Sequence, residues 1–244
     1  VKHRLFLPEL TEPGIAAPGR TIDLSQEQAH YLGRVLRLLP GAEVALFDGA
    51  GTQWRAELTD VGGRRAVAEL VGADRNEPQP NPLVLVQSWL KGSAMDAVVQ
   101  KSVELGATAL WLMDAERSNV RSDSKRKVNK LAHLERVARS AAEQCETLWM
   151  PEMVPTGGLA DVLEHPRPGR TLFLDLSQPP LETSAPEPLT LLIGPEGGWS
   201  DPERALAHET SGFEAGGLGP LTLRAETAPL AVLAAVRQSW GWQR

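Results

Sequence analysis

Cysteine is nearly absent from this chain: Cys145 stands alone among 244 residues, so no intrachain disulfide can form, and it reads as a packing residue. The five histidines, at 3, 30, 133, 165 and 208, lie far apart without ligand spacing, so no structural metal is expected. No apolar run approaches the roughly 18–20 uncharged residues that span a bilayer, and VKHRLFLPEL at the start lacks the apolar stretch of a secretory signal. A soluble, cytoplasmic protein is the expectation, with 42% hydrophobic residues to bury a core as one large or two modest domains. The chain also lacks G-x-x-x-x-G-K-[ST], a complete G-x-G-x-x-G and G-x-S-x-G, which weakens the NTPase, dinucleotide-enzyme and hydrolase readings.

Charge is present but unevenly spread. The net charge of −6 argues at first against a polyanionic partner, yet residues 151–244 hold 12 acidic and 6 basic side chains, and the acidity is concentrated there. Residues 117–139 instead carry eight Lys or Arg against Asp123 and Glu135. Such a cluster raises the local potential whatever the global sum, and either neutralises phosphates or forms a solvated helix face.

Three prolines and no large apolar residue in ADRNEPQPNP (73–82) mark a linker between a first domain, 1–72, and a second, 83–244. In the first, EVALFDG, TQWRAELTDV and RRAVAELVG alternate partially and are separated by DGAG and GG, a hairpin pattern that predicts a small β-barrel or sheet. FDGAG resembles a nucleotide-binding glycine turn, but the strand-like TQWRAEL after it favours a hairpin. SQEQAHYLGRVLRLL (25–39) predicts one helix with Ser25 as cap, Leu32, Val35, Leu36 and Leu39 on one face, and Pro40-Gly41 as a stop. In the second domain, apolar runs such as PLVLVQSWL, ATALWLMDA, RTLFLDLS and PLTLLIG alternate with helical patterns, which predicts an α/β fold with a largely parallel sheet.

Two loops carry the chemistry. In IGPEGGWSDPE (193–203), Ser200 and Glu203 have capping-box spacing and place a helix start at about Asp201. A helix start favours anions, but Glu196, Asp201 and Glu203 oppose a multiply charged phosphate there. A cationic ligand without phosphate, such as the sulfonium S-adenosylmethionine, satisfies those charges; a tight structural turn is the plainer alternative. Trp199 either lines such a cleft or anchors packing. The second loop, GGLGPLTLRAETAPL (216–230), also runs from a strand end into a helix, so the pair can wall one cleft at the strand ends.

The pair IGPEGGWSDPE and LGPLTLRAETA resembles the two hallmark loops of the RsmE-type ribosomal RNA methyltransferases of the SPOUT class. LKGSAMDAVVQKSVELGA, AERSNVR, AAEQC and the N-terminal RLFLPEL and HYLGRVLRLLPGAEVALFDGAG agree in order, so the resemblance spans nearly the whole chain. It implies a PUA-like RNA-binding barrel before a parallel sheet with a deep trefoil knot, a homodimer, and methylation of uridine N3 in 16S ribosomal RNA from S-adenosylmethionine. By resemblance Gly194, Glu196, Gly197 and Gly198 shape one cofactor loop, Leu218, Gly219, Leu221 and Leu223 the other, and Arg224, Glu226 and Thr227 border the reacting centre. Ala225 departs from the family's usual threonine, and Pro229 is a less common choice.

The chemistry makes its own demands. Uracil N3 carries a proton between two carbonyls, so a proton acceptor and a group stabilising charge on the ring oxygen both help. Arg224 and Glu226 are the candidates for those roles, against the plainer reading of a structural ion pair. The base edge must be unpaired to react, and Arg4, Arg34, Arg37, Arg117 and Arg121 are the expected phosphate contacts. The substrate is expected to be 16S ribosomal RNA or the assembled small subunit, with no membrane partner. The final helix, almost uncharged from Ala228 to Val236, suits burial or a subunit interface. Two other classes stay open: a non-catalytic RNA-binding protein of ribosome assembly, and a small-molecule α/β enzyme that uses a nucleotide.

Overall fold

In the computed structural model, residues 3–120, 124–181 and 185–242 are described. The chain divides into two compact units, residues 1–78 with 142–150, and residues 79–141 with 151–244.

The first unit contains β1 (Arg4–Phe6), β2 (Thr21–Leu24), α1 (Gln26–His30), β3 (Glu43–Phe47), β4 (Thr52–Val61) and β5 (Ala66–Arg75). They form a five-stranded sheet in the order β1-β3-β4-β5-β2, antiparallel except for the β1–β3 pair. Along β4 the alternation is physical: Trp54, Ala56 and Leu58 turn into a core with Leu5, Leu32, Leu46 and Leu70, while Arg55 and Glu57 face solvent. FDGAG is the β3–β4 hairpin turn, held by Asp48 Oδ1, which accepts from the Ala50 and Thr52 amides at 2.7 and 2.9 Å. β5 continues to Arg75, three residues into the stretch read as linker.

The helix expected over 25–39 is shorter and irregular. Ser25 caps α1 in a full capping box with Gln28, as its spacing suggests. A π-helical turn, Tyr31–Val35, follows, with the Leu36 amide bonded to the Tyr31 carbonyl. That wider turn holds an extra residue, so side chains beyond it fall out of phase with a 3.6-residue face. Leu32 is buried, whereas Val35 is 60% and Leu39 73% exposed; the single apolar face expected from the sequence does not form.

The second unit contains β6 (Leu83–Ser88), α2 (Ser93–Glu104), β7 (Ala109–Met113), the main part of α3 (Ser124–Cys145), β8 (Glu152–Pro155), α4 (Leu159–Glu164), β9 (Arg170–Leu174), β10 (Leu189–Ile193), α5 (Asp201–Glu209), β11 (Phe213–Gly216) and α6 (Thr227–Ser239). All six strands are parallel, in the order β11-β9-β10-β6-β7-β8. β6, β7 and β10 are buried at every position, which is why they read as unbroken apolar runs. α2 and α6 pack against each other, and Val232, Leu233 and Val236 of α6 are buried within this unit. Because the strands are parallel, the turns after β6, β9, β10 and β11 all emerge at one edge of the sheet, where open α/β sheets place ligands.

Candidate cofactor and RNA site

The site is assembled from the turns after β9, β10 and β11, which are neighbours in the sheet. After β10, the Gly198 amide bonds to the Pro195 carbonyl at 2.9 Å, and the chain then enters α5 through Ser200. The capping box is complete: Ser200 Oγ accepts from the Glu203 amide at 3.2 Å, and Glu203 Oε2 accepts from the Ser200 amide at 2.8 Å. The other Glu203 oxygen, Oε1, accepts from the Glu116 amide at 3.0 Å, so one buried carboxylate ties the turn carrying Arg117 to the glycine loop. Gly197 is needed at that seam, since a Cβ there would lie 3.0 Å from the Arg117 carbonyl oxygen.

Trp199 does not line a cleft. It is 2% exposed, its ring stacks on Phe173 at 4.4 Å between centroids, and its Nε1 donates to the Leu174 carbonyl at 2.8 Å. It anchors the loop to β9.

The turn after β9 links the two glycine loops. Asp175 Oδ2 accepts from Arg204 Nε at 2.6 Å, reaching α5, while the Asp175 amide bonds to the Gly216 carbonyl at 3.0 Å. The Gly217 amide bonds to Pro179, and the Leu181 amide bonds to the Gly217 carbonyl. Burial acts to raise the Asp175 pKa, but hydrogen bonds from the Ser177 amide, Arg204 and the Ser177 hydroxyl outweigh it and hold the carboxyl below its ordinary value. Neither Asp175 nor Arg204 was singled out in the sequence. The available signal was an aspartate just past a buried apolar strand, at the edge where parallel sheets place their sites.

In the second loop Gly219 has φ +104°, a conformation that side-chain-bearing residues rarely adopt. Leu218 and Leu223 are half-buried, whereas Leu221 is 74% exposed. The Arg224 carbonyl accepts from the Thr227 and Ala228 amides at 2.8 and 3.0 Å and so closes the first turn of α6; Thr227 is exposed. Ala225, where the family pattern has threonine, is buried at 9% exposure.

Two ion pairs in this region differ in kind. Arg204–Asp175 closes to 2.6 Å on a carboxylate 4% exposed, with the Arg204 side chain 34% exposed, so the pair is held more firmly than a surface bridge. Arg224–Glu226 spans 3.8 Å with the Arg224 side chain 86% exposed, a geometry worth at most about 1 kcal/mol. The first is therefore the structural clamp, and the second leaves its arginine directed to solvent. In the first loop Gly194 packs under Trp199, Gly198 is half-buried, and Glu196 and Gly197 are exposed at the rim.

The candidate phosphate contacts divide. Arg4 is 8% exposed, and its guanidinium donates to Gln53 Oε1 at 3.0 Å and to the Ala142 and Thr147 carbonyls at 3.1 and 3.2 Å, all inside the first unit. Burial lowers its pKa despite the acidic groups nearby. Arg4 thus holds residues 142–147 to β1, and its guanidinium is occupied by acceptors of the first unit. Arg34 and Arg37 are exposed in the first unit, and Arg117 is exposed in the second. Arg121 lies outside the described residues. Among the described residues, no cluster of His, Cys, Asp and Glu could hold a metal ion, and no helix is long and apolar enough to cross a membrane.

A family model for an RNA methyltransferase domain matches residues 77–237, and one for an RNA methyltransferase PUA domain matches residues 24–71. Ribosomal RNA small subunit methyltransferase E of Synechocystis is 36% identical over 226 residues, covering 88% of this chain and 72% of that protein. Its Bacillus subtilis namesake is 30% identical over 249 residues, covering 96% and 95%. Among solved structures, ribosomal RNA small subunit methyltransferase E from Neisseria gonorrhoeae, bound to S-adenosylmethionine, has a TM-score of 0.86 at 34% identity and 98% coverage of each chain. A Legionella pneumophila methyltransferase with bound S-adenosylmethionine has a TM-score of 0.88 at 28% identity and 97% coverage of each.

Proposed function

The chain belongs to the RNA methyltransferase family, and from that premise we propose that it transfers a methyl group from S-adenosylmethionine to N3 of a uridine in 16S ribosomal RNA. The observation that carries the reading is the convergence of three turns at the carboxyl edge of the parallel sheet, clamped to one another by Asp175, Arg204 and the Gly216 carbonyl. The relatives act on small-subunit ribosomal RNA by name, and two similar structures hold S-adenosylmethionine; the uracil N3 target rests on the resemblance of the L-R-x-E-T-A segment.

The residues present suit the donor. Gly219 has nothing within 4 Å of where a side chain would start, and Leu218 and Leu223 offer half-buried apolar surface. Arg204, the cation closest in sequence to the first loop, is engaged by Asp175 and also reaches Asp201 at 3.5 Å, so Glu196 there favours a cationic ligand over a triphosphate. Gly194, Glu196, Gly197 and Gly198 would hold it on one side, and Leu218, Gly219, Leu221, Leu223 and Thr227 on the other. When bound, the donor supplies an electrophilic methyl carbon on sulfur.

The protein's task is then to present N3 without its proton. Arg224, directed to solvent at the mouth of α6, can hold negative charge on a uracil oxygen, and Glu226 accepts the N3 proton or orients Arg224. Exposed Arg34, Arg37 and Arg117 suit the phosphates of the RNA. A homodimer completes the proposal by family resemblance. Incubating the protein with labelled S-adenosylmethionine and small ribosomal subunits, then mapping the modified base by mass spectrometry, tests it: a label at any atom other than uracil N3 refutes the assigned target, and no label on RNA refutes the activity.

A further inference from the structure

Two segments of the first unit, residues 28–42 and 61–68, hold four arginines and no acidic residue. They meet through glycines. At Gly33, inside the π-helical turn, a Cβ would lie 3.1 Å from the Gly62 carbonyl oxygen and 3.3 Å from Val61 Cγ1, so a bare main chain lets that turn sit close on the β4–β5 hairpin. Arg34 follows, and its Nε stands 2.9 Å from where a Cβ would begin at Gly63, which lays the guanidinium against the tip of the hairpin. That tip is tight, closed by the Gly62 amide on the Arg65 carbonyl at 2.6 Å, and Arg64 is exposed on it.

The segment that delivers Arg34 departs from regular geometry twice. Beyond the π-helical turn, Arg37 has φ +56°, in the left-handed region that residues with a Cβ seldom occupy. The Leu38 amide reaches back to the Leu32 carbonyl at 3.0 Å and pins the bend. Departures of this kind cost free energy and concentrate where a segment has a binding task. Their result here is that Arg34 and Arg37 are exposed and, like Arg64, have no side-chain hydrogen bond or ion pair among the described residues. Arg65 differs, since it meets Asp23 at 3.4 Å.

Guanidiniums gathered on two segments that lack carboxylates repel one another, and a chain of phosphates offsets that repulsion, each phosphate matching one fork of N–H donors. We propose that the π-helical turn and the β4–β5 hairpin form one surface for the RNA backbone, on which Arg64 is a phosphate contact beside Arg34 and Arg37. The hairpin is thereby added to the binding face, and the seating of Arg34 on Gly63 fixes the two segments in register with each other. This inference rests on the reading above that RNA is the substrate.

The test titrates the full chain with small ribosomal subunits at several salt concentrations. Arg64→Gln is expected to weaken binding about five- to tenfold and to flatten the salt dependence by about 0.7–0.9, the share of one phosphate contact, while affinity for S-adenosylmethionine holds. Arg20→Gln removes the same charge beside Leu70, along β5 from the hairpin, where the guanidinium is bonded to the Gly14 carbonyl; it is expected to bind within about twofold of wild type. Gly63→Ala keeps every charge but displaces the Arg34 guanidinium from the hairpin tip, and should weaken binding about threefold with an unchanged circular dichroism spectrum. Equal losses in Arg64→Gln and Arg20→Gln reduce the effect to net charge and overturn the surface, as does wild-type affinity in Arg64→Gln or in Gly63→Ala. A protein that shows the expected losses yet methylates no RNA refutes the methyl-transfer reading and leaves this surface standing. One that methylates RNA while all three variants bind as wild type refutes the surface alone.

Discussion

Arg224 and Arg204 both stand by the turns at the carboxyl edge of the parallel sheet, and burial separates their tasks. Arg204 is engaged by a carboxylate 4% exposed, whereas Arg224 meets Glu226 at 3.8 Å with 86% of its side chain in solvent. Arg224→Ala is therefore expected to leave thermal stability and S-adenosylmethionine affinity nearly unchanged and to lower methyl transfer about 100-fold or more, as removal of a charge-stabilising donor does. Wild-type turnover in single-turnover assays would remove Arg224 from the chemistry. Asp175 carries a different expectation. Its folded pKa is depressed, so its contribution is fully present above the ordinary carboxylate value and is lost as pH falls through the lower folded value. Asp175→Asn should lower stability at neutral pH and flatten the acid side of the stability profile, measured by urea unfolding across that range.

At the scale of elements, the two glycine loops were legible because their grammar is local: an apolar run, a turn, and Ser200 with Glu203 at capping-box spacing, which sets α5 at Asp201. The β3–β4 hairpin and the apolar strands β6, β7 and β10 were legible for the same reason. β1, β2 and β8 were not, because three or four residues hold too few periods to declare a strand; they form because a neighbour supplies the hydrogen bonds. The π-helical turn escaped for a different reason: Leu32, Val35, Leu36 and Leu39 fit a regular helix, and only the Leu36–Tyr31 bond shows that the phase slips. Gly197 shows the two scales meeting. A methyl group there would press on the Arg117 carbonyl at 3.0 Å, so Gly197→Ala should displace the loop and weaken S-adenosylmethionine binding by about tenfold with the fold retained. Calorimetry beside circular dichroism checks both halves.

For the molecule as a whole, net charge misleads and distribution informs. With −6 overall, RNA binding must come from local basic groups such as Arg34 and Arg37. Changing both to Glu should weaken RNA binding and flatten its dependence on salt by about 0.7 per lost phosphate contact, read from titrations at several salt concentrations; an unchanged slope rules that face out. The first unit also includes residues 142–150, which return to it from the far end of α3. Arg4 donates to the Ala142 and Thr147 carbonyls, and the Gly51 and Met150 amides bond to Leu148 and Gly49. A fragment of residues 1–78 lacks those partners and should show weaker amide-exchange protection in β1 and β3 than the same residues in the full chain; equal protection would make the returning segment dispensable.

By itself the sequence determined the alternation that makes one unit a sheet of hairpins and the other a parallel α/β sheet. It also determined the capping of α5 and the pair of loops by which the family is recognised, since each depends on residues a few positions apart. Only the tertiary structure decided that Arg4 is a buried tie and Trp199 a stacked anchor, and that Asp175 joins both loops. Those outcomes depend on which groups from distant segments meet and how much water is left between them, and such information resides in the packed fold, where a spacing along the chain cannot hold it.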